Sequence, residues 1–482
     1  MGENRACPRQ AVGGRTVEKG FISLEEALSL SRAEVRREYA DHINPGLASL
    51  LSLLDFDKRF VRAQGVSVWD EEGNEYLDFL GGYGALNTWH NHPRILAAVE
   101  RVSEVPNLLQ ASLGALSAAL AHNLALLAPG DLSVTFFGNS GAEAVEGALK
   151  LARAATGRER ILYCEGSFHG KTLGALSVTG RQKYQIPFRP LLPGTQPIPY
   201  GNLDRLEEEL RRGEVAAFIV EPIQGEGGVI VPPAGYLKGA RELCTRYGAL
   251  LIVDEIQTGL GRTGTLFACQ EEGVEPDVLC LAKSLGGGVM PIGAYMTTPR
   301  IWQRAYGGAE KALLHTSTFG GNARAAAAGI AALQVIQEED LPRRAREQGD
   351  YLLARLELLR QRYPMIRQVR GRGLLIGLEF EQPVQGLLAK LGGELINRLA
   401  EEYLGAMVAG ELMNRHRIIT AYTLNNPNVI RLEPPLTVTR EQVDRVLAAL
   451  EEIFSRHRSF FSMVATTART ALGASGRRRE GE

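Results

Sequence analysis

The spacing of apolar residues changes along the chain, and each change predicts a different element. Behind Ser23 apolar positions recur at helical spacing, and Ser23 with Glu26 forms a capping box, so the pattern predicts one helix running to about Tyr39. From Arg59 to Phe79 the period falls to two. The stretch RFVRAQGVSVWDEEGNEYLDF sets alternating apolar residues around Gly65 and Glu72-Gly73-Asn74, which predicts a small antiparallel unit turning at those points.

From about residue 90 to 300 the short apolar runs SVTFFG, ILYC, VAAFIV, ALLIVDE and DVLCLA alternate with amphipathic helices, among them Gly141 to Ala155 and Tyr236 to Tyr247. Such alternation predicts an α/β fold with a mostly parallel sheet flanked by helices. An Ala-rich helix near 322–337 and a charged helix at about 343–362 follow. Then come GLLIGLEF, INRLAEEYLGAMV, RIITAY, NVIRL and a last helix at 440–455, a mixture that predicts a smaller α+β domain. The domain expectation is therefore a flexible start (1–20), a helix and hairpin segment belonging to the small domain (21–90), a large domain (91–330), a C-terminal small domain (331–459) and a disordered tail (460–482).

Charge removes some functions from consideration. Lys plus Arg number 54 and Asp plus Glu 55, a net charge of −1, so no broad basic field is available for nucleic acid or an anionic membrane. The five cysteines, Cys7, Cys164, Cys244, Cys269 and Cys280, are scattered without a CxxC pair. That disfavours both a disulfide framework and a zinc site, and fits a reducing cytoplasm. The first residues lack the apolar stretch of a signal peptide, and no run approaches the roughly 18 apolar residues of a membrane span. Glycine is in surplus, 54 of 482 residues, and much of that surplus falls in the motifs that carry the candidate chemistry.

In LLIVDEIQTGLGRTG a buried-strand pattern ends in Asp254, where ligands of open α/β sheets bind. The carboxylate either holds a cationic ring nitrogen or merely caps the next turn. In DVLCLAKSLGGGVMPIGA an apolar strand delivers Lys283 to a loop with Gly286, Gly287 and Gly288. A lysine there is a candidate Schiff-base former, because burial favours the neutral amine; the alternative is a solvated strand end. FFGNSGAEAVEGALKLARAATG is a strand, a small-residue turn and a helix, whose free N–H groups and Ser140 hydroxyl form a phosphate site without a basic residue. Phe168 and His169, after ILYC, are either a stacking platform or a core phenylalanine beside a satisfied histidine. A lysine imine, a ring-nitrogen carboxylate, an aromatic stacker and a phosphate cradle are together what a pyridoxal phosphate site needs.

In order and wording these motifs resemble the class III (ornithine-type, subgroup II) aminotransferases of fold type I, over roughly residues 60–455. EPIQGEGGVI, GRTGTLFACQ, LCLAKSLGGGVMPIGA and TLNNPNVIRLEPPLT look most like the putrescine and acetylornithine/ornithine branch. The resemblance implies that Lys283 is the Schiff-base lysine and proton shuttle, that Asp254 pairs with the pyridine nitrogen, that Gln257 bonds the ring hydroxyl, and that Phe168 stacks on the ring beside His169. It implies that Ser140, Gly141 and Ala142 hold the phosphate, that Glu221 supports the cofactor region, and that Thr318 reaches the phosphate of a neighbouring subunit in a homodimer or dimer of dimers. It further implies that Arg431 clamps a substrate carboxylate while Glu226 hides its charge in the other half-reaction, with Tyr83 in the substrate site; the bland alternative for Arg431 is a structural ion pair with Glu433 or another carboxylate.

The reaction implied is ping-pong transfer of the terminal amino group of a diamine or ω-amino acid, putrescine-like, to 2-oxoglutarate, with ornithine, acetylornithine and lysine as alternative donors. A decarboxylase, an aminomutase or a non-catalytic scaffold of the same fold would be the other readings, and Glu226, Arg431, Lys283, Asp254 and Gln257 speak against them. No metal is implied. Trp89 stands where the family has glycine, which predicts a reshaped substrate entrance. GRGLLIG at 371–377 has the wrong last spacing for a dinucleotide loop, and GLGRTGT lacks the GK[ST] ending of a Walker loop.

Overall fold

The computed structural model describes residues 20–108, 111–381 and 393–457; the expected flexible start, apart from Gly20, and the expected tail lie outside the described residues. The chain divides into two compact units, one ending at Arg59 and one beginning at Phe60.

The first unit holds three short helices, Leu24–Ser29, Arg32–His42 and Pro45–Leu53. The single helix expected from Ser23 is thus two. Leu30 leaves helical geometry (φ −54°, ψ 130°), and Ser31 with Glu34 forms a second capping box whose reciprocal hydrogen bonds are both made. A second Ser-x-x-Glu inside a periodic stretch restarts the helix, since each cap satisfies backbone donors that a continuous helix would bond itself.

The second unit opens with the antiparallel strands Phe60–Gln64, Ser67–Asp70 and Glu75–Asp78, turning at Gly65 and Gly73, both with positive φ. Ile418–Ile419 adds to this sheet in parallel to Glu75–Asp78. The central sheet has seven strands in the order Val134–Gly138, Gly293–Thr297, Val278–Leu281, Leu250–Asp254, Val215–Val220, Arg160–Cys164 and Thr195–Ile198. Six run parallel, and Gly293–Thr297 runs against both neighbours. Two of these strands were not foreseen: Thr195–Ile198 contains Pro197, which an edge position tolerates, and Gly293–Thr297 opens on a glycine just after Pro291-Ile292.

Each apolar run is divided between two cores because successive side chains point to opposite faces. Ile161, Ile252, Val278 and Cys280 pack with the helices Gly141–Thr156 and Pro299–Tyr306. Leu162, Leu251, Val253, Leu279 and Leu281 pack with Leu203–Arg211, Tyr236–Tyr247 and Ala323–Glu338. This double burial is why the strands read as continuous hydrophobic stretches. The carboxyl-terminal part has helices Leu341–Arg362, Gly393–His416 and Arg440–Arg456 around an antiparallel sheet ordered Ile366–Arg372, Leu375–Phe380, Val429–Leu432 and Ala421–Tyr422. Among the described residues no helix is long and apolar enough to cross a membrane.

Gly293 pairs with Gly138 at the point where that strand runs into the turn before Ser140. An added methyl at Gly293 would lie 2.0 Å from the Ser140 carbonyl oxygen, a contact that only backbone movement could relieve. Gly293→Ala is expected to lower stability by about 1–3 kcal/mol through this overpacking; urea unfolding measures it, and an unchanged midpoint would show that the turn gives way freely.

Candidate active site

Parallel strands all end at one edge, and five of them end in residues with chemistry. Ser140 follows Val134–Gly138, Phe168 and His169 follow Arg160–Cys164, Glu221 follows Val215–Val220, Asp254 closes Leu250–Asp254, and Lys283 follows Val278–Leu281. A cavity of about 430 Å³ lies at this edge. Ser140, Gly141, Ala142, Phe168, His169, Glu221, Asp254, Gln257 and Lys283 all line it, together with the apolar Ile256, Met290, Pro291 and Ile292. Nine of the residues singled out in the sequence therefore meet in one place.

Asp254 is buried and uses its two oxygens differently. Oδ1 accepts the Ile256 N–H at 3.0 Å, while Oδ2 lies 2.7 Å from His169 Nδ1. Asp254 thus caps the next turn with one oxygen and meets His169 with the other. His169 is buried, and its Nε2 has no hydrogen-bond partner, so among the described residues Asp254 Oδ2 is the one hydrogen-bond partner of its ring. Glu221 accepts the N–H groups of Phe168 at 2.9 Å and Gly225 at 3.1 Å, which ties the stacking loop to the loop carrying Glu226. Burial pushes the Glu221 carboxyl up to about 7, with the nearby His169 opposing and Asp254 adding to the rise.

Lys283 has a positive φ of 47°, an uncommon and costly conformation for a side chain of this size. It faces the cavity, and burial lowers its pKa below the ordinary lysine value; the carboxylates of Glu433, Glu226 and Asp254 oppose that shift and Arg431 adds to it. More of the amine is neutral, and so nucleophilic, than in a surface lysine. Ser140 is the N-cap of Gly141–Thr156 and accepts the Glu143 N–H at 3.2 Å. At Gly141 an added methyl would strike Ile256 at 2.9 Å, so the backbone there comes close to the cavity wall.

The donor set fits a flat phosphorylated pyridine cofactor. A carboxylate with a buried partner, an amine with lowered pKa, an aromatic ring and a helix N-terminus surround a single cavity.

Glu226, Arg431 and Tyr83 form a second cluster outside the cavity lining. Arg431, on Val429–Leu432, is fully buried, and its Nη2 lies 2.5 Å from Glu226 Oε2. That oxygen also accepts the Leu424 N–H at 2.8 Å. The Arg431 guanidinium stands 5.2 Å from the centre of the Tyr83 ring, a cation–π contact. Tyr83 is held there by four successive positive φ angles, Gly81 to Gly84; three fall on glycines at little cost and the fourth on Tyr83 itself. Glu433 is 3.9 Å from Arg431 Nη1, so the close partner of the arginine is Glu226.

Thr318 is exposed and not part of this cavity; its neighbour Ser317 accepts a hydrogen bond from Asn139 Nδ2 at 3.1 Å. Trp89 also stands apart from the lining, with its ring stacked on His92 at 4.8 Å. Two residues went unrecognised as parts of the site: Glu433, named from the sequence only as a bland partner, and the buried Arg262, embedded in a glycine-rich loop. A charged residue inside LEPPL, between apolar and proline positions, was the available signal for Glu433. Among the described residues no cluster of His, Cys, Asp or Glu could hold a metal.

Glu221 sets a pH dependence with a definite sign. Its folded-state carboxyl keeps the proton up to about pH 7, against 4.5 for the free group, so the folded state loses stability as pH rises from 4.5 through 7. In cofactor-free protein, Glu221→Gln should remove a loss on the order of a few kcal/mol across that window. Denaturant unfolding at pH 5 and pH 7.5 tests it; parallel curves for the two proteins would refute the assignment.

The class-III aminotransferase family model matches residues 56–454. Among solved structures, ornithine aminotransferase from Toxoplasma gondii is 32% identical with a TM-score of 0.77, covering 92% of this chain and 98% of that one. Acetylornithine aminotransferase from Elizabethkingia anophelis is 33% identical, TM-score 0.69, over 83% and 94% of the two chains. A thermostable (S)-enantioselective omega-transaminase from Thermomicrobium roseum is 29% identical, TM-score 0.79, over 91% and 99%. The carboxylate, lysine and phosphate-cradle edge of the sheet and these matches agree: the chain belongs to the class-III aminotransferases, pyridoxal-phosphate-dependent enzymes of fold type I.

Proposed function

We propose that this aminotransferase takes the terminal amino group of a diamine or ω-amino acid, putrescine-like, and passes it to 2-oxoglutarate by a ping-pong reaction. The observation that supports this reading is the buried Arg431–Glu226 pair. Arg431 keeps two further nitrogens, Nε and Nη1, without hydrogen-bond partners. A guanidinium with free donors suits a carboxylate, and a glutamate that covers it suits a substrate lacking one.

When bound, pyridoxal phosphate supplies an electron sink that makes the proton on the amine-bearing carbon removable. Asp254, steadied by His169 and the Ile256 N–H, would keep the ring nitrogen protonated. The Gly141 and Ala142 N–H groups and the Ser140 hydroxyl would hold the phosphate. Phe168 would stack on the ring, Gln257 would bond the ring hydroxyl, and Glu221 would fix the loop beneath them. Lys283 Nζ would carry the proton taken from the donor carbon, a task its lowered pKa favours. The donor leaves as an aldehyde or oxo acid. Arg431 would then release Glu226 and bind the carboxylate of 2-oxoglutarate, or of pyruvate, with Tyr83 over its guanidinium.

The exposed position of Thr318 suits a residue that completes a second subunit's phosphate site, so we infer a homodimer or a dimer of dimers. The buried free thiols of Cys164, Cys244, Cys269 and Cys280 suit a reducing compartment such as the cytoplasm.

Lys283→Ala should abolish both turnover and the visible absorbance gained on adding pyridoxal phosphate; full activity would remove Lys283 from its role. For Arg431→Ala, the half-reaction with 2-oxoglutarate should fall about ten- to a hundredfold further than that with the diamine, the worth of one charged hydrogen bond of about 1.5–3 kcal/mol. Single-turnover absorbance with putrescine, cadaverine, ornithine, acetylornithine and lysine reads the donor directly, and equal losses in both half-reactions would count against the clamp.

A further inference from the structure

Directly behind Gln257 lies a carboxylate that the chemistry above does not use. Glu433 follows Val429–Leu432 and is fully buried, anchored by its own N–H to the Phe79 carbonyl at 2.8 Å. Both of its oxygens accept from Gln257 Nε2 at 3.0 Å. Its remaining neighbours are cations held at a distance: Arg262 Nε at 3.9 Å and Arg431 Nη1 at 3.9 Å. Neither of those nitrogens has a hydrogen-bond partner. Glu433 thus gives its hydrogen bonds to a neutral amide and only its charge to the two arginines. The space around it is tightly cut, since a methyl added at Gly84 would lie 2.5 Å from Oε1.

Arg262 has a separate structural duty, with its guanidinium on the carbonyl oxygens of Leu374, Pro434 and Asn87 at 3.0, 2.5 and 2.7 Å. It cannot leave, and it stays charged. Within this cluster the two guanidinium groups of Arg262 and Arg431 face the two carboxyl groups of Glu226 and Glu433; burial pushes the Glu433 carboxyl up, and Arg262, Arg431 and Lys283 oppose that rise and favour its charged form. Lys283 at the cavity senses Glu433, Glu226 and Arg431, so this cluster acts electrostatically on the reacting end of the site. Without Glu433 one positive charge would be left over in a dry region where screening is weak.

We propose that Glu433 is a specificity-determining residue that acts through Arg431: by holding this end of the site neutral it admits an amine donor whose far end is an ammonium, and it moderates the pull on dicarboxylates. This rests on the donor class proposed above. A surplus positive charge would repel a diamine and leave an uncharged monoamine of equal length unaffected, whereas loss of packing or of the Gln257 amide orientation would harm both alike.

The test is E433Q, which keeps the shape and an oxygen for Gln257, in the cofactor-loaded enzyme. Half-reactions with a diamine and with a monoamine of matched length should show the apparent KM for the diamine rising about tenfold while the saturating rate and the monoamine change less than about twofold. Absorbance titration of the amino form should show 2-oxoglutarate binding severalfold more tightly. Equal losses with both donors, or a moved visible band with no discrimination between them, would overturn the proposal. Should E433Q not fold, E433D keeps the charge but withdraws it from Arg431, and the same discrimination should appear in smaller degree; its absence would be equally fatal. A wild type that accepts neither donor overturns the donor class and this inference with it, whereas a wild type that accepts both while E433Q ignores the donor's far charge overturns this inference alone.

Discussion

The constraint on which the site depends is that a mostly parallel sheet buried on both faces releases its six parallel strands at one edge. Inside the sheet the backbone is satisfied and the side chains are apolar; at the edge neither condition holds. The chain meets the unpaired groups there with polar residues, so Ser140, Phe168-His169, Glu221, Asp254 and Lys283 arrive together from five strands far apart in sequence. Their meeting follows from topology, and the loops need only turn. The single antiparallel strand, Gly293–Thr297, lies against the strand that leads to Ser140 and brings Gly293 under its carbonyl, so the cradle rests on regular structure.

The second feature is how the charges brought to that edge are kept affordable. Burying a charge costs several kcal/mol unless it is paired. The site answers with short chains of contacts: Asp254 on His169, Glu221 on two backbone N–H groups, Arg431 on Glu226, and Glu433 on Gln257 beside two arginines. Burial still moves Glu221, Glu433 and Lys283 toward their neutral forms. For the lysine that is useful, because the neutral amine is the nucleophile.

Most of this was readable from residue types and spacing, and the exceptions have physical causes. Continuous apolar runs revealed the central strands because both faces are buried. Thr195–Ile198 escaped because a part-exposed edge strand with a proline leaves no continuous apolar run, and Gly293–Thr297 because its buried run is short and made partly of Gly, Ala and Thr. The break at Leu30 escaped because the periodicity runs straight through it, although Ser31 and Glu34 repeat the signal already credited at Ser23. Lys283, Asp254 and Ser140 were legible as strand-end residues in unusual company. Glu433 was not, since its pairing with Gln257, 176 residues away in sequence, is set by folding; the charge inside LEPPL marks the residue but not its partner.

At Asp254 the observed turn cap and the proposed contact to a ring nitrogen need not exclude each other. A carboxylate has two oxygens, and here the one that caps the Ile256 N–H also fixes the direction of the other toward His169. The turn fixes the orientation on which a ring-nitrogen contact would depend. The same economy appears at Glu221, whose two oxygens bind two loops, and at Glu226, whose Oε2 meets both Arg431 and the Leu424 N–H. A glutamate so tied can leave the arginine only at the cost of a backbone contact. The covered state of Arg431 is thus a defined position, and under the proposed role a carboxylate substrate would compete with both interactions to open it.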